Sequence, residues 1–227
     1  MATLAGRGSM RERFREQVRE DVKAAALEQL AAGGAHAISI NAISKELGVS
    51  GSALYRYFPS RDDLLTALVI DAYEDLRDTL AQELGADAPD RTPEDRFRAL
   101  TRAYRAWAVA QPHRYELLFK PPIPGYDAHS ATLANAARSL MAILLSSLAE
   151  LTQAGDTRTR PYQNEEVLAA RTAGAAEFRT AVAVWSCLHG IVSLELGGGL
   201  AAMTIDTDTL FEHEIQVLIE RIGRQRG

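Results

Sequence analysis

The chain has 227 residues, 47% of them hydrophobic, and a formal net charge of -5, which favours a folded globule and leaves room for a small and a larger domain. A single cysteine, Cys187, excludes an intrachain disulfide; neither a signal peptide nor a long uninterrupted apolar span stands out, so the expected location is cytoplasmic, without a membrane partner. The five histidines, His36, His113, His129, His189 and His213, are scattered without ligand spacing, so neither a metal site nor a cofactor is expected.

The overall charge hides an asymmetry. Residues 1–61 hold nine Lys/Arg against six Asp/Glu, or +3, whereas residues 62–227 hold sixteen against twenty-four, or -8. A basic front and an acidic remainder would present the molecule end-on to a polyanion.

In chain order, residues 1–10 lack an apolar pattern and contain Gly6, Arg7, Gly8 and Ser9, so they read as a flexible arm. From about Arg11 to Ala32 a helix is predicted by Phe14, Val18, Val22, Ala26 and Leu30 on one face, stopped at Gly33-Gly34. Its opposite face carries Arg11, Arg15 and Arg19. Such a run is ordinarily a solvated face, although an arginine at a helix start can also reach a phosphate.

Residues 38–65, ISINAISKELGVSGSALYRYFPSRDDLL, contain two short helix patterns hinged at Gly48-Val49-Ser50. Ser39 suits an N-cap, with Ile40, Ile43 and Leu47 at spacings of three and four. Gly48 supplies backbone freedom for the turn. Ser50 restarts the chain, Leu54 and Phe58 anchor the second helix from below, and Ser52, Tyr55, Arg56 and Tyr57 are left for a groove. Ser60 caps a further helix with Asp63 at the capping-box position.

This stretch reads as a helix-turn-helix and resembles the DNA-binding domain of TetR-family transcriptional repressors, in the run LGVSGSALYRYFPSRDDLL. Two positions depart from the family's habit: Ser44 stands where alanine is usual, and Arg61 where lysine is usual, which keeps the charge but changes its shape. The resemblance implies base readout by Ser52, Tyr55 and Tyr57, with Ser39 and Asn41 reaching from the preceding helix start. Ser50 and Arg56 complete the candidate surface, and Arg61 is expected to grip phosphate.

Beyond the head only helical periods occur. A fourth helix is predicted from about Arg61 to Leu84, and Thr92-Pro93 opens a fifth with Phe97, Leu100, Tyr104, Trp107 and Ala108 inside and Arg98, Arg102 and Arg105 outside. Pro112 to Phe119 makes a short helix, PPIPGYD a loop, and Ala128 to Gln153 a long helix before the polar linker AGDTRTRPYQNE. In the stretch from Phe178 to Leu196, Phe178, Val182, Trp185, His189, Val192 and Leu196 form one line, with Ala181, Val184, Leu188 and Ile191 beside it. A helix apolar over this much of its circumference needs more than one neighbour. The terminal helix, capped near Asp206 to Asp208, adds Phe211, Ile215, Leu218 and Ile222.

The expected architecture is all-α: arm 1–10, a three-helix helix-turn-helix domain over 11–60, and a larger helical effector-binding and dimerisation domain over 61–227. By resemblance the last two helices pair with their copies in a homodimer, with Val184, Leu188, Ile191, Phe211, Ile215, Leu218 and Ile222 as the candidate interface. The run WSCLHGIVSLEL also resembles a regulatory-domain subgroup recognised by its tryptophan, histidine-glycine pattern. Candidate contacts for an unidentified, largely apolar effector are Tyr104, Trp107, Tyr115, Phe119, Trp185 and His189, each with core packing as the alternative. No Gly-rich phosphate loop or nucleophile elbow favours an enzyme. The expected function is a homodimeric repressor released from a palindromic operator in double-stranded DNA by a small ligand. The alternative is a helical interaction module that binds no DNA.

Overall fold

The computed structural model describes residues 4–85, 91–119, 131–153 and 175–224, and every regular element among them is a helix. In chain order these are α1 (Leu4–Gly33), a 3-10 turn (Ala35–Ala37), α2 (Ile40–Glu46), α3 (Gly51–Leu54), α4 (Arg61–Gly85), α5 (Pro93–Ala110), α6 (Pro112–Phe119) and α7 (Ala131–Gln153). Then come α8 (Ala175–Leu196), α9 (Gly199–Ala202) and α10 (Thr207–Arg224). The all-helical expectation holds. The loop PPIPGYD and the linker AGDTRTRPYQNE lie outside the described residues.

Two details differ from the sequence reading. Helix α1 begins at Leu4 rather than near Arg11, so most of the segment expected as an arm is helical. Isolated glycines cost only about 1 kcal/mol each against alanine, and Leu4, Ala5, Arg7 and Met10 are good helix formers. Second, α7 is long and apolar enough over Ala131–Thr152 to cross a membrane by length and composition alone, against the expectation that no such span exists. The helix nevertheless carries an ion pair, Arg96 Nη1 to Glu150 Oε2 at 3.1 Å, that joins it to α5, and its Ser147, Leu148 and Leu151 are buried. These contacts pack one part of the helix, while most of the span is not buried among the described residues.

The described residues form two compact units. The first takes those within Met1–Ala72 and His113–Leu133, the second those within Tyr73–Pro112 and Ala134–Gly227. Compactness thus divides the chain within α4, after Ala72, and groups α6 with the head.

In the second unit, Thr92 caps α5 in a reciprocal box with Asp95, and the Thr92 hydroxyl holds the Asp95 carboxyl below its ordinary value. Helix α8 packs against α5, α9 and α10, with Ala181, Val184, Leu188, Ile191 and Val192 buried. The arginine face of α5, expected to meet solvent, is engaged. Arg98 donates to Gln216, Arg102 makes a two-pronged bond to Glu212 at 2.7 Å on both arms, and Arg105 makes another to Glu195 at 2.8 and 2.7 Å. Arg105 also reaches Asp208 at 2.6 Å and lies over the Phe211 ring. Planar guanidinium forks match carboxylates in this way, which lysines would not.

Candidate nucleic-acid interface

The head is built from caps and one turn. Ser39 Oγ accepts from Ala42 N at 3.3 Å, while Ser39 N donates to Gln29 Oε1 of α1 at 2.9 Å, which ties the start of α2 to the first helix. Gly48 sits at φ +66, a backbone position that favours glycine, and lets the chain turn back. Ser50 Oγ accepts from Ala53 N at 3.3 Å and shares a bond with Ser52 Oγ at 3.2 Å. As expected, Ser60 and Asp63 bond reciprocally at the start of α4.

Helix α3 is shorter than the sequence suggests: it spans Gly51–Leu54, and residues 55–57 continue as turns. The backbone bonds Tyr57 N to Leu54 O (2.8 Å) and Phe58 N to Leu54 O (3.1 Å) hold that extension. Leu54 and Phe58 are 1% and 2% exposed, so the anchoring role of both is as expected. Above these anchors Ser50, Ser52, Tyr55 and Arg56 are exposed, as is Asn41 on α2, whereas Ser39 and Tyr57 are half-buried. The structure therefore puts hydroxyls, one amide, one guanidinium and a phenol on a single small head, and apolar residues beneath. Such a set can donate to phosphate and to base edges.

Two arginines are not free in this way. Arg61 donates through Nη2 to the carbonyl of Ala35, and its Nε is buried without a partner. The expected phosphate grip from this residue therefore competes with a tether to the turn after α1. Arg19 is the residue the sequence reading missed: Nη1 donates to the Tyr57 carbonyl at 3.1 Å, and the guanidinium carbon lies 4.6 Å from the Phe58 ring centroid. Nothing local signals this contact, because its partners are 38 and 39 residues away. Lys23 adds a third link, with Nζ 2.7 Å from both Glu20 and Asp71.

This geometry coincides with family matches on both parts of the chain. Residues 23–68 match bacterial regulatory proteins of the tetR family, and residues 97–218 match a tetracyclin repressor-like C-terminal domain. An HTH-type transcriptional regulator of Mycobacterium tuberculosis is 32% identical over 216 residues, 90% of this chain and 92% of the relative. The chain belongs to the TetR family. It is a DNA-binding transcriptional regulator, as that membership entails. Among solved structures, the putative regulatory protein SCO4313 is similar at 36% identity, with a TM-score of 0.71 over 91% of this chain and 97% of that one. FadR of Bacillus subtilis shares the fold at a TM-score of 0.59 and 16% identity, over 88% and 97%.

The TetR-type second unit redistributes the remaining candidates. Tyr104 and Trp107 are buried, and the Trp107 indole is satisfied, its Nε1 donating to Asp75 Oδ2 at 2.8 Å. Tyr115 and Phe119, with ring centroids 4.8 Å apart, belong to the other unit. The six effector candidates therefore do not gather in one compact unit. Trp185 and His189 stack at 5.5 Å with ring planes 19° apart, and burial pushes the His189 imidazole below its ordinary value. All seven interface candidates, Val184, Leu188, Ile191, Phe211, Ile215, Leu218 and Ile222, are covered within the single chain. They are core residues here, and the apolar line left open on α8 is the neighbouring one, where Phe178 and Val182 are exposed.

Proposed function

We propose that this regulator acts as a homodimeric repressor on an operator of two half-sites in inverted repeat. The carrying observation is the head itself, where exposed Ser52, Tyr55 and Arg56 stand on the buried Leu54 and Phe58. In this reading Ser52, Tyr55 and Tyr57 read bases, helped by Asn41. Ser39 keeps its hydroxyl hydrogen for phosphate after capping, the Ser50–Ser52 hydroxyl pair keeps one between them, and Arg56 supplies the principal charge, with any share from Arg61 secondary to its tether. The dimer forms through the open line of α8, where Phe178 and Val182 are exposed, and not through the covered residues beside it. A two-fold protein then demands a two-fold operator.

Release comes from a small, largely apolar ligand held by the second unit, with Tyr104, Trp107, Trp185 and His189 the first residues to replace. FadR, of the same fold, is in complex with stearoyl-CoA, which makes an acyl-CoA a sensible first probe. Helix α4 runs from the head into the second unit as one element, a suitable carrier for coupling. Trp185 stacked on His189 and followed by Gly190 supports the tryptophan, histidine-glycine subgroup for the C-terminal part. The protein works in the cytoplasm, where its operator is.

The test joins stoichiometry to operator symmetry. Val182→Arg puts charge on a residue already 36% exposed, so the chain should stay folded, sediment as a monomer at micromolar concentration and protect one half-site. The parent should protect both halves of an inverted repeat. A Val182→Arg protein with the parent's mass and the parent's footprint would remove this face from the dimer. If operator and stearoyl-CoA are coupled, each lowers the other's affinity by one common factor.

A further inference from the structure

Helix α3 is four residues long, far below the length at which a helix holds its own shape in water. Pro59 follows Phe58 and ends the extension, because a proline donates nothing and forces the preceding residue towards extended backbone. The carbonyls of the last turn therefore lack intrahelical partners. Tyr57 O is one of them, and Arg19 Nη1 satisfies it from α1 at 3.1 Å. The same guanidinium covers the ring of Phe58, the buried residue beneath. One side chain thus fixes both the backbone and the anchor at the end of the reader segment, immediately beside Tyr55, Arg56 and Tyr57.

We propose that Arg19 is a positioning residue for sequence readout, one that sets where the Tyr55–Tyr57 turn stands on the base edges while making no contact with DNA itself. Its cationic charge suggests the opposite role, a phosphate contact. Geometry favours the first: one arm of the fork donates to the Tyr57 carbonyl while its plane lies over the Phe58 ring. A phosphate contact acts on every duplex alike and adds about one unit to the salt slope. A positioning residue leaves non-specific binding intact and acts only where base contacts must align. Lysine at this position could supply a point charge, yet it lacks the planar fork that bonds the carbonyl and covers the ring together.

The inference rests on the reading that the α2–α3 head discriminates among sequences. The parent, Arg19→Met and Arg19→Lys are titrated with a random duplex and with a duplex selected by the parent, each over a salt series, with helicity followed by circular dichroism. Both variants should keep helicity, random-duplex affinity within about twofold and a salt slope within half a unit of the parent, while the selected-over-random ratio falls at least tenfold. Should Arg19→Met fail to fold, Arg19→Lys decides alone. A salt slope lowered by about one in Arg19→Met and restored in Arg19→Lys would make Arg19 a phosphate contact and overturn the proposal. Parent-like discrimination in the folded variants would overturn it as well. A parent that prefers no duplex removes the underlying reading too, and is distinguishable because discrimination is then lost before any substitution.

Discussion

Ile215→Arg should yield an unfolded or aggregated chain rather than a folded monomer. Ile215 is 0% exposed on α10, a helix that packs against α8 and α5. A guanidinium forced into that space has no carboxylate partner within the apolar stripe formed with Phe211, Leu218 and Ile222. Burying an unpaired charge, added to the steric cost of overpacking, exceeds about 4 kcal/mol, a large part of the 5–15 kcal/mol that holds an ordinary domain. Leu188→Arg, on the facing side of α8, should behave alike. Circular dichroism and light scattering at micromolar protein check both. A soluble monomer with the parent's helicity in either variant would mean that these residues face a partner chain and not the core.

The second large effect falls on Arg105. Its side chain and that of Glu195 are each 19% exposed, and the pair is bidentate. Arg105→Ala strands the Glu195 carboxylate in a mostly covered site, so the expected cost is about 3 kcal/mol, or roughly 6–12 °C in Tm for a chain of this size. Glu195 is held to one orientation by this bond, and a double replacement, Arg105→Met with Glu195→Met, should recover most of the loss because no covered charge is left behind, Asp208 being 82% exposed. Arg102, one turn away with the same fork, provides the contrast. It and Glu212 are 58% and 42% exposed, so Arg102→Ala should cost no more than about 1 kcal/mol.

That smaller contribution also carries a pH signature. The bond from Arg102 holds the Glu212 carboxyl below its ordinary value of 4.5. A carboxyl lowered in the folded state stabilises above its unfolded pKa and ceases to do so as pH falls through the folded one. The Tm gap between parent and Arg102→Ala should therefore be full at pH 6 and shrink below about pH 4.5. Equal Tm losses for Arg102→Ala and Arg105→Ala at neutral pH would show that burial does not grade these two pairs.

The helix-turn-helix is legible in the sequence because its determinants are local. Ser39, Ser50 and Ser60 each bond the backbone amide three residues on, Gly48 needs only its own φ, and Leu54 and Phe58 are one helical period apart. The same locality explains why α5 reads well from Thr92-Pro93. What sequence does not resolve is the choice between two equally apolar lines on α8. Ala181, Val184, Leu188 and Ile191 become core, and Phe178 and Val182 stay open, because Glu195 shares the first line and is captured by Arg105 from 90 residues away. Periodicity cannot rank two stripes on one helix. The arginines mislead for a similar reason: Arg19, Arg61, Arg102 and Arg105 look like solvated or phosphate-binding charges until their distant acceptors are known.

The central claim, a head that reads DNA sequence through the α2–α3 turn, is tested most directly by selecting duplexes from a random pool with the parent protein and titrating the enriched sequence against the unselected pool over a salt series. The account predicts an enriched inverted repeat, bound at least a hundredfold more tightly than the pool, with affinity for both falling steeply as salt rises. A pool that shows no enrichment, with affinity indifferent to salt, would contradict it.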